Sequence, residues 1–463
     1  MENSFIKTFF QSNSTQITLK LVLILILVLL SLIPKLMIID LVDERKQSGE
    51  NVKSEVYEGW GKSQLTTGPV LVIPYNDFIK NENENETSTK VKKNLIIYPE
   101  KLSTEGQVST TTKMKNIYSV LLYKSALQIQ GQFVIPPSNQ LNIPEVNILY
   151  NEAYIAIGIT DLKGIEDQVN FVWNQKPVSL NPGLVDVHFV YDPLSYDGTI
   201  QPKSSPNQNS FKTGLSGLIP LSIDDNTYTF SYNLSLKGSQ HLLFAPIGKT
   251  TTVHLTSDFP DPKYCGGFLP EHQTNEKGFD AYWKVLEYNK ILPSFQKTSN
   301  VIDVGNNSFG ISFDHLVDHY TIIHRASKYM FLFIVLTFLV VFLTEIVLNQ
   351  KIHIFQYVLT GLALAIFFIL LLSLSEYVGF DVAYIIAAIA TISLLFLYSL
   401  TMFVQRKSSF LLFSLLVGLF SYVYFIIQLE RMALLVGSIG LFFILAATMY
   451  ATRKVNWYGV NKE

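Results

Sequence analysis

Glu345 is a carboxylate set inside an apolar run, in the stretch LTEIVLNQ. An ionisable group in hydrocarbon is costly, and those that persist often mark ion or proton paths. A plainer role competes with that one. The residue lies about a turn from the end of its run, where it can snorkel or pair with Arg406 or His353. Glu376, Asp381 and Glu430 fall at the ends of other apolar runs. Asp381 and Glu430 would open helices, where a carboxylate accepts free N–H groups and complements the dipole. Asp314-His315 and Asp318-His319 set two imidazoles four residues apart, a spacing that zinc sites use on one helix face. No third ligand or general-base glutamate stands nearby, so a polar juxtamembrane linker is the better reading. Gly61-Lys62-Ser63 looks like the end of a phosphate-binding loop, but Val56 stands where the first glycine is required. No G-x-S-x-G, no H-E-x-x-H and no S-x-x-K with convincing partners occurs. The residues point to no catalytic site, no cofactor and no metal.

The elements that would position these groups are membrane helices. Segments 331–348, 355–374, 382–404, 410–427 and 433–451 are nearly free of charge. Each has the length that crosses a hydrocarbon core about 30 Å thick at about 1.5 Å per residue. A sixth candidate lies near the N-terminus, where LVLILILVLLSLI carries no small-x-small cleavage site after it. It reads as an uncleaved anchor. Gly379, Ala383, Ala387 and Thr391 repeat every four residues, which lets another helix approach closely in a bundle or a homo-oligomer.

Between the anchor and the bundle the chain changes character. Short β-type runs occur at 70–74, 94–99, 128–135, 187–191, 228–236 and 251–256, separated by Gly, Pro and Asn. In YTFSYNLSL, apolar residues from Tyr228 to Leu236 alternate with Thr229, Ser231, Asn233 and Ser235, the period of a strand with one buried face. Residues 43–60 have helical spacing, 81–90 form a low-complexity loop, and 259–270 form a Pro-rich surface segment. The expected fold is a membrane α-helical bundle of six transmembrane helices with a large β-rich extracytoplasmic domain, antiparallel and sandwich-like. Its divisions are a cytoplasmic N-terminus at 1–16, an anchor helix at 17–39, the β-rich domain at 40–328, helices two to six at 329–452 and a cytoplasmic tail at 453–463.

Short-loop lysines and arginines set orientation. Lys7, Lys20, Lys351, Arg406, Lys407, Arg453 and Lys454 fall on one side, with Trp457 and Tyr458 as interfacial anchors. That side is the cytoplasm, and the β-rich domain lies across the membrane. Arg325 and Lys328 dissent, but they follow a long translocated domain, where the rule is weak. The 35 basic and 37 acidic residues leave a net charge of −2, which argues against a nucleic-acid partner. The one cysteine, Cys265, cannot form an internal disulfide.

The chain also resembles the CreD family, bacterial inner-membrane proteins also called cell envelope integrity protein CreD. The matching stretches are GPVLVIPY (68–75), GFLPEHQTNEKGFDAYW (267–283), DHYTIIHRASKY (318–329), LTFLVVFLTE (336–345), HIFQYVLTGLAL (353–364), LLLSLSEYVGFDVAY (370–384) and TRKVNWY (452–458). The resemblance covers the whole chain. It implies a non-enzymatic inner-membrane protein that supports envelope integrity and tolerance of colicins and β-lactams, with its large domain in the periplasm. It also supports Glu345, Glu376, Arg325 and Lys328 as family-pattern positions without assigning them roles. Arg325 and Lys328 would fix the outer end of helix two against lipid head groups. The expected partners are the lipid bilayer and an unknown envelope protein or cell-wall component. The alternative is a proton-coupled transporter or channel using Glu345.

Overall fold

A computed structural model describes residues 13–80, 88–191, 209–222, 225–290, 292–297, 299–305, 307–313, 319–347, 352–429 and 432–453. Asp314, His315, Asp318, the side chain of His319, Lys7, Lys351, Glu430, Arg431, Lys454, Trp457, Tyr458 and most of the 81–90 loop lie outside them. The chain divides into two compact units, one of residues 1–51 with 315–463 and the other of residues 52–314.

The first unit is helical. Helices α1 (Asn13–Leu30) and α2 (Leu32–Trp60) are separated at Ser31. Pro34 explains the break, because it lacks an N–H and its ring crowds the carbonyl one turn earlier. Next come α3 (His319–Lys328), α4 (Met330–Val347), α5 (Ile354–Val378), α6 (Phe380–Met402), α7 (Arg406–Gln428) and α8 (Ala433–Thr452). Among the described residues five helical stretches are long and apolar enough to cross a membrane, beginning at Leu19, Tyr320, Ile354, Phe380 and Arg406. The apolar stretch Leu435–Tyr450 in α8 is a sixth, shorter one. In hydrocarbon every backbone polar group must be satisfied within the segment, and a helix does this.

Two boundaries differ from those that composition suggests. Helix α2 continues through the polar residues after Asp40, and α3 forms ahead of the apolar run, with Tyr320, Ile323, Ala326 and Ser327 buried. Residues 40–51 and 319–328 therefore belong to the helical unit.

Among its described residues the second unit holds a nine-stranded, an eight-stranded and a three-stranded sheet. The long strand Gln64–Lys80 organises the first. It pairs with Tyr154–Ile159 and Ser88–Ile97 antiparallel and with His241–Ala245 parallel. Val70, Leu71, Val72 and Ile73 are all buried, so the motif reads as a continuous apolar run rather than an alternation. A register shift between Thr66 and Pro69 accommodates Pro69, which cannot donate to the ladder. Gly68 lies under the Leu102 side chain of the opposite sheet, and a Cβ there would come within 2.6 Å of it.

In the eight-stranded sheet, Thr227–Ser239 is the alternating strand expected, pairing along its length with Tyr118–Val134. Lys101–Lys115 lies on the other side of Tyr118–Val134, then Thr250–Ser257 parallel to it, then Gly278–Leu286. Pairing is mainly antiparallel, with three parallel pairs among the described strands. The parallel pairs arise where long crossovers return the chain in the same direction, which local periodicity does not reveal. The Pro-rich 259–270 segment contains a short strand, Lys263–Gly266, and buries Phe259 and Cys265.

One core joins the two large sheets. Tyr123 packs at 4.7 Å against Phe313, with the rings tilted, and donates its hydroxyl to the carbonyl of His241. Trp283 packs at 5.6 Å on Phe309 of the other sheet and donates its indole N–H to the carbonyl of Phe268. Trp283 is fully buried. Trp283→Ala should cost about 3–5 kcal/mol, since the rigid sheets cannot close around the void. Chemical unfolding of the detergent-solubilised protein measures this, and a loss of under about 1 kcal/mol would show that the sheets relax freely.

Candidate functional site

The chemistry in the helical unit gathers where three helices meet. Lys20 lies at the start of the apolar run of α1, Glu345 in the last turn of α4, and Tyr357 in the first turn of α5. His353 caps α5, its ring accepting from the N–H of Phe355, and Gln356 reaches back to the N–H of His353. That reciprocal cap fixes the angle at which Tyr357 enters the bundle.

Glu345 is 8% exposed. Its Oε1 accepts from the Lys20 ammonium and, at 3.3 Å, from the N–H of Ile352. Its Oε2 accepts the Tyr357 hydroxyl at 3.1 Å. Lys20 Nζ also donates to the carbonyl of Ile352 at 2.6 Å and stands 5.9 Å from the centre of the Tyr357 ring. A buried ion pair is tolerable when further hydrogen bonds satisfy the remaining lone pairs and protons, and here they do.

The partner is thus Lys20, in place of Arg406 or His353. Arg406 is exposed at the start of α7, and His353 serves as a cap. Sequence reasoning missed Lys20 and Tyr357 as ligands of the acid. The available signal was topological, since alternating spans bring the start of helix one, the end of helix two and the start of helix three to one side.

A second polar group lies at the opposite ends of these helices. Glu376, half-buried near the end of α5, accepts the Tyr320 hydroxyl of α3 at 3.1 Å. Asp381 does not cap α6, whose N-cap is Gly379 at a φ of 79°. Its Oδ1 accepts instead from Tyr424 at 2.9 Å and Gln428 at 2.7 Å, both on α7. Its charge still suits the helix start. Arg325, half-buried, and Lys328, exposed, lie on α3, so the four family-pattern residues do not form one site.

Between the two polar ends, the bundle is aromatic. Phe333, Phe367, Phe368 and Phe420 pack ring to ring at 4.5–6.0 Å. Tyr384 reaches into this cluster and donates to the carbonyl of Phe420 at 2.8 Å. Ala383, Ala387 and Thr391 are buried, so the small-residue stripe of α6 serves packing within the chain.

In the β-rich unit, Gly61-Lys62-Ser63 joins α2 to the first strand. The N–H of Lys62 donates to Asp161 and the carbonyl of Gly61 accepts from Ser239, so the tripeptide is held as a connector. Lys290 donates to the carbonyls of Pro246 and Gly248. Burial pushes its ammonium down to about 8, outweighing the nearby charge of Glu287.

A family model described as "Inner membrane protein CreD" matches residues 16–458. The "Inner membrane protein CreD" of Escherichia coli (strain K12) is 28% identical over 437 residues, covering 93% of this chain and 91% of that protein. The chain belongs to the CreD family and is a multi-pass protein of the inner membrane.

Two outcomes follow from this geometry. Lys20→Met should cost about 3–5 kcal/mol of stability in detergent, because it leaves the buried Glu345 charge uncompensated, and Glu345→Gln should cost less, because Lys20 is only half-buried. The double variant should cost less than the sum, and strict additivity would show that the pair is not coupled. For Lys290, the folded-state value lies below the ordinary value of about 10.4, so the unfolded chain holds more protons across that interval. Stability from this group therefore rises from pH about 8 to about 10 and is lowest below it. Wild type should gain on Lys290→Met over that window in unfolding midpoint, whereas parallel curves would contradict the burial.

Proposed function

We propose that this member of the CreD family is a non-enzymatic envelope protein of bacteria. The helical unit anchors it, and the β-rich unit, on the periplasmic side, binds an envelope partner. Through that partner it supports barrier integrity and tolerance of envelope-directed agents. The observation carrying this reading is the satisfied state of Glu345. Its two oxygens meet an ammonium, a backbone N–H and a phenol, the environment of a structural ion pair. The β-rich unit is then the part of the chain with surface to offer a partner. The polar groups at the two ends of the bundle tie helices to one another.

A second reading, proton-coupled transport through Glu345, draws on the same acid. A buried carboxylate bonded to a lysine and a tyrosine could pass a proton along that chain. Complementation separates the two. In a strain lacking the protein, dye leakage across the envelope is measured under β-lactam stress, comparing wild type with the doubly neutral Lys20→Met/Glu345→Gln chain at matched folded amounts in the membrane. Full restoration by the variant is expected here. A correctly inserted variant that leaves the envelope leaking would favour the transport reading.

A further inference from the structure

The eight-stranded sheet ends on one side in Glu271–Asn275, a strand exposed at every residue. Its neighbour is Gly278–Leu286, reached through a turn at Glu276 and Lys277, so Asn275 and Gly278 close the hairpin as a hydrogen-bonded pair. The pattern then alternates. Glu271, Gln273 and Asn275 direct their main-chain groups into the sheet, and His272 and Thr274 direct theirs outward. Among the described residues no strand or loop backbone pairs with that outward side.

Other edges carry guards. Lys176 and Pro177 lie in the strand at the far side of the same sheet. Pro182 and Lys263 lie in the two strands that end the nine-stranded sheet, and Lys90, Lys92 and Lys93 line the open stretch of Ser88–Ile97. Proline and lysine are what natural sheets use to keep an edge from taking up another strand. Glu271–Asn275 holds neither. The strand is also pinned in place. The Tyr264 ring lies 4.6 Å from the ring of His272, and its hydroxyl lies 3.4 Å from that of Thr274. An edge fixed in this way loses little freedom on pairing.

We propose that this edge pairs antiparallel with the same edge of a second copy of the chain, about a two-fold axis at Gln273. The hairpin dictates the register. Full overlap of the two strands sets Gln273 opposite its own copy and His272 opposite Thr274 of the second copy. Those two residues carry the outward main-chain groups, so each exchanges both bonds with the other. Glu271 then stands opposite Asn275 and diagonal to Lys277 of the second copy, on one face and within reach of its long side chain. No like charges stand opposite each other. Leu269, 79% exposed beside the edge, runs alongside the turn of the second copy. A strand from an unrelated protein would need no such self-complementarity, and a docked helix would leave the outward main-chain groups unused. The inference stands apart from the envelope-partner reading, which requires no particular oligomeric state.

The test uses the full-length protein in membranes and in mild detergent. Opposed residues of a pair without main-chain bonds have Cα atoms about 4.5 Å apart, within the range of about 4.4–6.8 Å that a disulfide spans. Gln273→Cys under mild oxidation should therefore double the mass of the chain on a non-reducing gel. Wild type, whose cysteine Cys265 is buried, should stay single. Glu271→Cys sets its two thiols about 13–14 Å apart along the strands and should not link. Thr274→Pro removes an outward N–H without touching the bonds to Gly278–Leu286, and should halve the mass of the solubilised protein by light scattering at an unchanged unfolding midpoint. Equal linking by Gln273→Cys and Glu271→Cys, or a dimer that survives Thr274→Pro, overturns the edge pairing. A wild type that is monomeric in detergent, with no linking of Gln273→Cys in membranes, overturns the second copy and leaves the edge to a strand of another protein.

Discussion

A carboxylate inside an apolar bundle cannot be left alone, and its neutralisation constrains the helical unit. Glu345 draws the Lys20 ammonium of α1 and the Tyr357 hydroxyl of α5 to one point. The N-terminal helix is thereby tied to helices more than 300 residues away in sequence. Between helices in lipid there is little hydrophobic drive, so such polar ties, with close packing, supply specificity. Asp381, Tyr424 and Gln428 do the same for α6 and α7 at the other end. The aromatic cluster around Phe333 and Phe420 fills the space between.

The spans were legible because hydrocarbon imposes a length on any apolar helix that crosses it. Strand Thr227–Ser239 was legible because its buried face alternates without a break. Lys101–Lys115 was not. Of its inward positions only Leu102 and Val108 are strongly apolar, with Thr104 and Gly106 between them, so the period-two signal is faint. Its parallel partner Thr250–Ser257 lies far along the chain, where no local pattern announces the pairing.

The site was half legible. Glu345 stands out as an acid in an apolar run, but its partner is a lysine that reads as a topology signal at a helix end. Choosing between Lys20, Arg406 and His353 needs the packing, which places α1 beside α4 and α5 and leaves Arg406 exposed. Asp381 shows the converse error. Its position at a helix start suggests a cap, yet a neighbouring helix supplies better donors.

On the proposed function the bundle is an anchor with internally satisfied charge, and partner binding falls to the β-rich unit. Proton flux in reconstituted vesicles, followed with an internal pH-sensitive dye under an imposed gradient, tests this most directly. Vesicles holding the full-length protein should leak protons no faster than protein-free vesicles of the same lipid. A flux well above that background, abolished by Glu345→Gln, would contradict the account and make the buried acid a conducting group.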